Sequence, residues 1–145
     1  MTNEIEKVET SDEVAEIGSV DTGALIVSTF GASVDEAKEA YNAVNGAGYL
    51  HEGLMDTPIK VKHVLLERGE RRSRETGELV ACVNSYIVTD EGKAYFTQSS
   101  GIARGLASIA RLVPDFRDAN GEPISIAIHS KKLNNGNVMK VVEWL

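Results

Sequence analysis

Four guanidinium groups fall within seven residues at Arg68, Arg71, Arg72 and Arg74, and three aromatic rings follow at Tyr86, Tyr95 and Phe96. A guanidinium is always charged and presents a planar fork of donors that fits phosphate oxygens. An aromatic face accepts any nucleobase, each stacked base contributing roughly 1–3 kcal/mol. Together these groups are the equipment for holding a single strand of nucleic acid, with cations along the phosphates and rings under the bases. Lys60 and Lys62 precede them, Lys131 and Lys132 follow, and the amides of Asn84 and Gln98 lie among the rings.

The same inspection for catalysis is negative. His51-Glu52-Gly53-Leu54-Met55 begins like the zinc motif HExxH, but Met55 stands where the second histidine is needed. Gly92-Lys93 lacks the upstream glycine and the following Ser or Thr of a phosphate-binding loop, and neither GxSxG nor GxGxxG occurs. Three scattered histidines and one cysteine give no metal-ligand spacing. Cys82 falls inside a strand pattern, where a thiol behaves as a small apolar residue. No catalytic residue, cofactor or metal is expected.

The elements that must position the basic and aromatic groups run from Pro58 onward. Ile59–Glu67 starts with apolar residues alternating against Lys60 and Lys62, then loses the alternation at Val64-Leu65-Leu66, where a bulge is expected. The arginines lie in a polar loop over 68–78, followed by strands over Leu79–Thr89 and Lys93–Gln98. Between these strands, a three-residue turn with Gly92 left-handed avoids straining Glu91 and sets Tyr86 opposite Phe96, the favoured register, whereas a two-residue turn at Glu91-Gly92 would set Ile87 opposite Phe96 and Val88 opposite Tyr95. On the favoured register Tyr86 and Phe96 share an outward face with Asn84 and Gln98. Ser99 or Ser100 caps a helix over Gly101–Val113, whose stripe is Ile102, Leu106, Ile109 and Val113. Gly101 and Gly105 permit close packing of that helix. Ile124, Ile126 and Ile128 alternate inward along a fourth strand, Asn134–Asn137 turns the chain, and Val138–Leu145 closes the barrel with Trp144 as a plug. Three strands, a helix and two strands are the chain order of the OB-fold, so the expected class is mainly β: a five-stranded OB-fold barrel with a helix between strands 3 and 4.

Ahead of the barrel (58–145), Ala24–Phe30 reads as a strand and Ser33 opens a helix with Glu36 as its capping box. Val34, Ala37, Tyr41 and Val44 form the apolar stripe of that helix, with Tyr41 as core, packed on the barrel or on a second copy. Residues 1–23 hold seven acids and few large apolar residues and read as a disordered tail, so 24–145 is the single domain. The net charge of −7 conceals a division: residues 1–57 carry −10 and residues 58–145 carry +3. No apolar run is long enough to cross a bilayer, the acidic start lacks a signal-peptide pattern, and one cysteine suits a reducing cytoplasm.

The runs VNSYIVTDEGKAYFTQSSGIARGLASIARL and PISIAIHSKKLNNGNVMKVVEWL resemble the single-stranded DNA-binding proteins of bacteriophages, a likeness over about three-fifths of the chain. The resemblance implies an OB barrel that coats replication and recombination intermediates without sequence preference in the bacterial host cytoplasm. Single-stranded DNA is then the main partner, with replication proteins and further copies of the chain as additional partners. Such proteins often carry an acidic C-terminal tail, whereas the acids here lie at the N-terminus. Two rivals keep the same residues in other roles: an OB adaptor for protein assembly with buried rings and solvated arginines, and a small enzyme subunit using His51-Glu52.

Overall fold

A computed structural model describes residues 23–145. The reading of the acidic tail lies outside these residues, apart from Gly23. The chain forms β1 (Leu25–Ser28), α1 (Val34–Gly46), β2 (Gly48–Tyr49), a 3₁₀ turn (Glu52–Leu54), β3 (Ile59–Arg72), β4 (Leu79–Thr89), β5 (Ala94–Thr97), α2 (Ser100–Leu112), β6 (Ser125–Lys132) and β7 (Val138–Trp144). The fold is mainly β, a curled open sheet accompanied by two helices.

β3 is the strand on which the sheet is assembled. It pairs with β4 from Val61 to Arg72, with β6 through Ile59 and Lys60, and with β1 through Leu65 to Glu67. The register slips between Val61 and His63, a bulge that bends the strand so that both halves of the sheet share it. The sheet runs β2-β5-β4-β3-β6-β7, with β1 on β3 off this path. Among the described residues β7 pairs only with β6, so no described strand closes the ladder beyond it.

The core fills the concave side of the curl. Val61, Val64, Leu66, Ile87, Ile126 and Ile128 meet Ile102, Leu106 and Ile109 of α2, and the fully buried Phe116 completes the packing. Each such side chain removed from water contributes about 1.5–3 kcal/mol. Ser99 caps α2 by accepting from the Ile102 N–H, and the helix lies against β7 through its two glycines. A Cβ at Gly101 would collide with the Lys140 carbonyl oxygen, and one at Gly105 would meet Val142 Cβ at 2.7 Å. Only glycine permits that approach.

α1 departs from its expected stripe. Ser33 accepts from the Glu36 N–H as the cap, but Val34 and Tyr41 are 83% and 68% exposed, and Ala43 is the residue buried. Polar contacts do the holding: Glu39 pairs with Lys62 at 3.0 Å and lies 3.7 Å from His63. Trp144 is likewise no plug, being 43% exposed at the end of β7. Among the described residues no helix is long and apolar enough to cross a membrane.

Candidate functional site

The arginine cluster belongs to a strand more than to a loop. β3 continues to Arg72, so Arg68, Arg71 and Arg72 lie on paired backbone and only Arg74 occupies the turn. The expected loop shrinks because β4 pairs to its first residue, Arg72 opposite Leu79. Ser73 ties the turn, its N–H donating to the Glu78 carbonyl at 2.8 Å, and Gly77 takes φ +74°. Arg72 Nη1 donates to the Gly77 carbonyl at 2.6 Å, which commits this guanidinium to holding the hairpin.

Arg71 and Arg74 instead enter a cleft of about 940 Å³ between the β3–β4 hairpin, the start of α2 and the start of β7. Arg104 comes to it from α2 and Lys140 from β7, while Ala81, Val83, Ala103 and Met139 supply apolar wall. Among the described residues no Asp or Glu lines it. Four cations without a carboxylate among them create a focused positive potential over an open groove. Arg104 and Lys140 are absent from the expected set, because the sequence pattern places them on separate elements that only folding brings together. Lys131 and Lys132 are exposed and pair with Met139 and Val138, both in the cleft wall. The remaining predicted lysines lie elsewhere. Lys62 is paired to Glu39 under α1, and Lys60 borders a separate groove with Asp118, Glu122 and Trp144.

The aromatic register is the one expected from the turn. Thr89 N–H donates to the Lys93 carbonyl at 2.8 Å, Gly92 has φ +86°, and Tyr86 sits opposite Phe96. The expected exposure of Tyr86 is not found, for the ring is only 8% exposed. It lies 5.2 Å from Phe96, centroid to centroid, and its phenol meets the Glu67 carboxylate; burial first, then that charge, raises its pKa. Phe96 is half-buried and carries Tyr49 on its other side at 5.5 Å. Tyr95 points the other way along β5, edge-on to His51 at 6.1 Å.

Asn84 is also engaged. Its Oδ1 accepts from Gln98 Nε2 at 2.9 Å and its Nδ2 donates to Glu67 at 3.4 Å. Gly69 leaves the room this amide fills, since a Cβ there would come within 2.5 Å of Asn84 Nδ2. The network braces the sheet beside the cleft, which Gln98 and Cys82 also line. Cys82 is half-buried and its thiol pKa is raised, chiefly by burial, which disfavours the reactive thiolate.

Each of the three histidines is engaged in a local contact. His51 accepts from the Gly53 N–H at 3.2 Å and so caps the 3₁₀ turn. His63 stacks on Phe30 at 4.2 Å with its Nδ1 2.9 Å from Thr29 Oγ1, and burial lowers its pKa against the pull of Glu39. His129 lies between Asp56 at 2.6 Å and Glu143 at 2.7 Å, whose hydrogen bonds raise its pKa. Among the described residues no group of three or more His, Cys, Asp or Glu is arranged to hold a metal ion. No protein-family model, curated protein or solved structure matches this chain.

Proposed function

We propose that the protein binds single-stranded DNA without sequence preference, as a non-catalytic OB-type barrel protecting strands exposed in replication or recombination. The observation that carries this reading is the cleft that brings Arg71, Arg74, Arg104 and Lys140 together with no carboxylate from the described residues among them. A phosphodiester chain is the ligand such a groove selects, because each phosphate replaces condensed counterions with protein cations. The cleft lies beside the hairpin between the two long strands and the turn before the last one, where OB-folds receive oligonucleotides. The host cytoplasm and replication partners belong to the same proposal.

Titration of the full chain with a labelled dT oligonucleotide, the matching duplex and the matching RNA tests it. Binding to the dT strand with weaker duplex binding is the expected outcome. Absence of dT binding at low salt removes the proposal. It would favour instead a protein-interaction adaptor, a reading supported by Val34 and Tyr41 standing exposed on α1.

A further inference from the structure

Tyr86 and Phe96 begin a row of rings that continues beyond the expected interface. β2 adds to the free edge of β5 in parallel, with Gly48 opposite Tyr95 and Tyr49 opposite Phe96. The Leu50 N–H donates to the Phe96 carbonyl at 2.9 Å and pins this short strand in register. The row thus crosses three adjacent strands, and exposure rises along it: Tyr86 is 8% exposed, Phe96 half-buried and Tyr49 79% exposed. A single exposed ring is ordinary on a protein surface. Tyr49 differs because its backbone is held by a ladder bond and its ring rests on a second ring that rests on a third. Such a ring keeps its orientation before a ligand arrives, and stacking then costs little ordering.

The row also connects to the cleft. Gln98, just past the end of β5, donates to Asn84 on the face of β4 that carries Tyr86, and it lines the cleft with Arg71 and Arg74. The Ala81 and Val83 wall of the cleft belongs to the opposite, α2-facing side of β4, so Gln98 stands at the rim between the two. The step along the chain from Phe96 to Gln98 is about 7 Å. A chain whose phosphates leave the cleft over the rim at Gln98 and Arg71 reaches the face where Phe96 and Tyr49 can take a base.

We infer that Tyr49 is the base-stacking residue of this protein, with Phe96 as its backing and Tyr86 as the buried anchor of the row. The inference rests on the single-stranded DNA reading and assigns its base contact to the N-terminal extension, outside the strands from Pro58 onward.

The full chain and its Tyr49→Ala and Tyr49→Trp variants are titrated with a dT oligonucleotide and with an abasic oligonucleotide of the same length and backbone. Phosphate contacts treat the two ligands alike, whereas a stacking ring needs the base. The wild type is expected to prefer dT roughly tenfold. Tyr49→Ala should lose that preference with its abasic affinity unchanged, and Tyr49→Trp should keep it. Because the side chain is exposed, the alanine variant should melt with the wild type, and melting curves check this. A preference surviving in Tyr49→Ala assigns the stack to another ring and overturns the inference. Equal wild-type binding of both ligands also overturns it while single-stranded DNA binding stands. Failure of the wild type to bind either ligand removes the functional reading, and the inference with it.

Discussion

Two open grooves flank the sheet, and they differ in charge more than in size. The cleft by the β3–β4 hairpin has about 940 Å³ and, among the described residues, four cations with no carboxylate. The groove between α1 and the β4–β5 turn has about 700 Å³ and mixes Lys38 and Lys93 with Asp35 and Glu39. In the second groove Glu39 already binds Lys62. Its charges serve to hold the extension on the sheet, and an anion arriving there would meet carboxylates of its own sign. Volume alone would rank the two as similar; the sign of the lining separates a surface that packs from one that can receive a polyanion.

The largest expected effect comes from Gly101 in the cleft, with Gly46 in the other groove as its contrast. Gly101→Ala places a methyl against the Lys140 carbonyl, pushing α2 off β7 and opening the cleft wall. Chemical denaturation should show a loss of about 1–3 kcal/mol or more, with weakened DNA binding. Gly46→Ala lines the other groove, where nothing stands within 4 Å of the new Cβ, and should be neutral or stabilising by up to about 1 kcal/mol. Similar costs at both positions would break the contrast in packing.

Charge reversal sharpens the contrast in function. Arg104→Glu and Lys38→Glu change the net charge equally, one in each groove. Arg104→Glu is expected to weaken binding of a dT oligonucleotide roughly tenfold or more, and Lys38→Glu only slightly. Equal weakening would mean that net charge, and not the cleft, governs affinity.

A smaller effect separates the region under α1 from the far side of the sheet by pH. His63 is buried beneath α1 among Thr29, Phe30, Glu36, Glu39, Lys62 and Arg117, and its pKa is held down. The unfolded chain then binds the extra proton first, so stability falls as pH drops below about 6.5. His129, between Asp56 and Glu143, has its pKa held up. Its contribution is complete below about 6.5 and fades as pH rises through the raised value. The two partly cancel. Thermal melts across pH 5–8 should show a steeper acid loss in His129→Gln, which leaves His63 unopposed, than in the wild type. An unaltered profile would contradict the assignment of His129.

Legibility in the sequence followed the strength of the local signal. α2 was readable because large aliphatic residues at Ile102, Leu106 and Ile109 leave one apolar face, and its glycines marked a close approach. α1 was not, since its helical stripe mixes alanine with Val34 and Tyr41, while the packing is set by Glu39 reaching Lys62 and His63. The turn at Gly92 gave the Tyr86–Phe96 register, because only glycine takes the left-handed position without strain. It could not give the exposure of Tyr86, which depends on how neighbouring side chains cover that face. Arg71 and Arg74 were found as a local cluster. Arg104, Lys140 and Tyr49 join them through contacts distant in the chain, which no spacing encodes.

The most direct test of the cleft is the salt dependence of dT-oligonucleotide binding, compared between the wild type and the combined Arg71→Ala, Arg74→Ala, Arg104→Ala and Lys140→Ala variant. If these four groups neutralise phosphates, the slope of log K against log salt concentration should shrink by up to roughly 3, at about 0.7 per phosphate on single strands. A folded variant that keeps the wild-type slope would contradict the account, because the phosphates would then be held elsewhere.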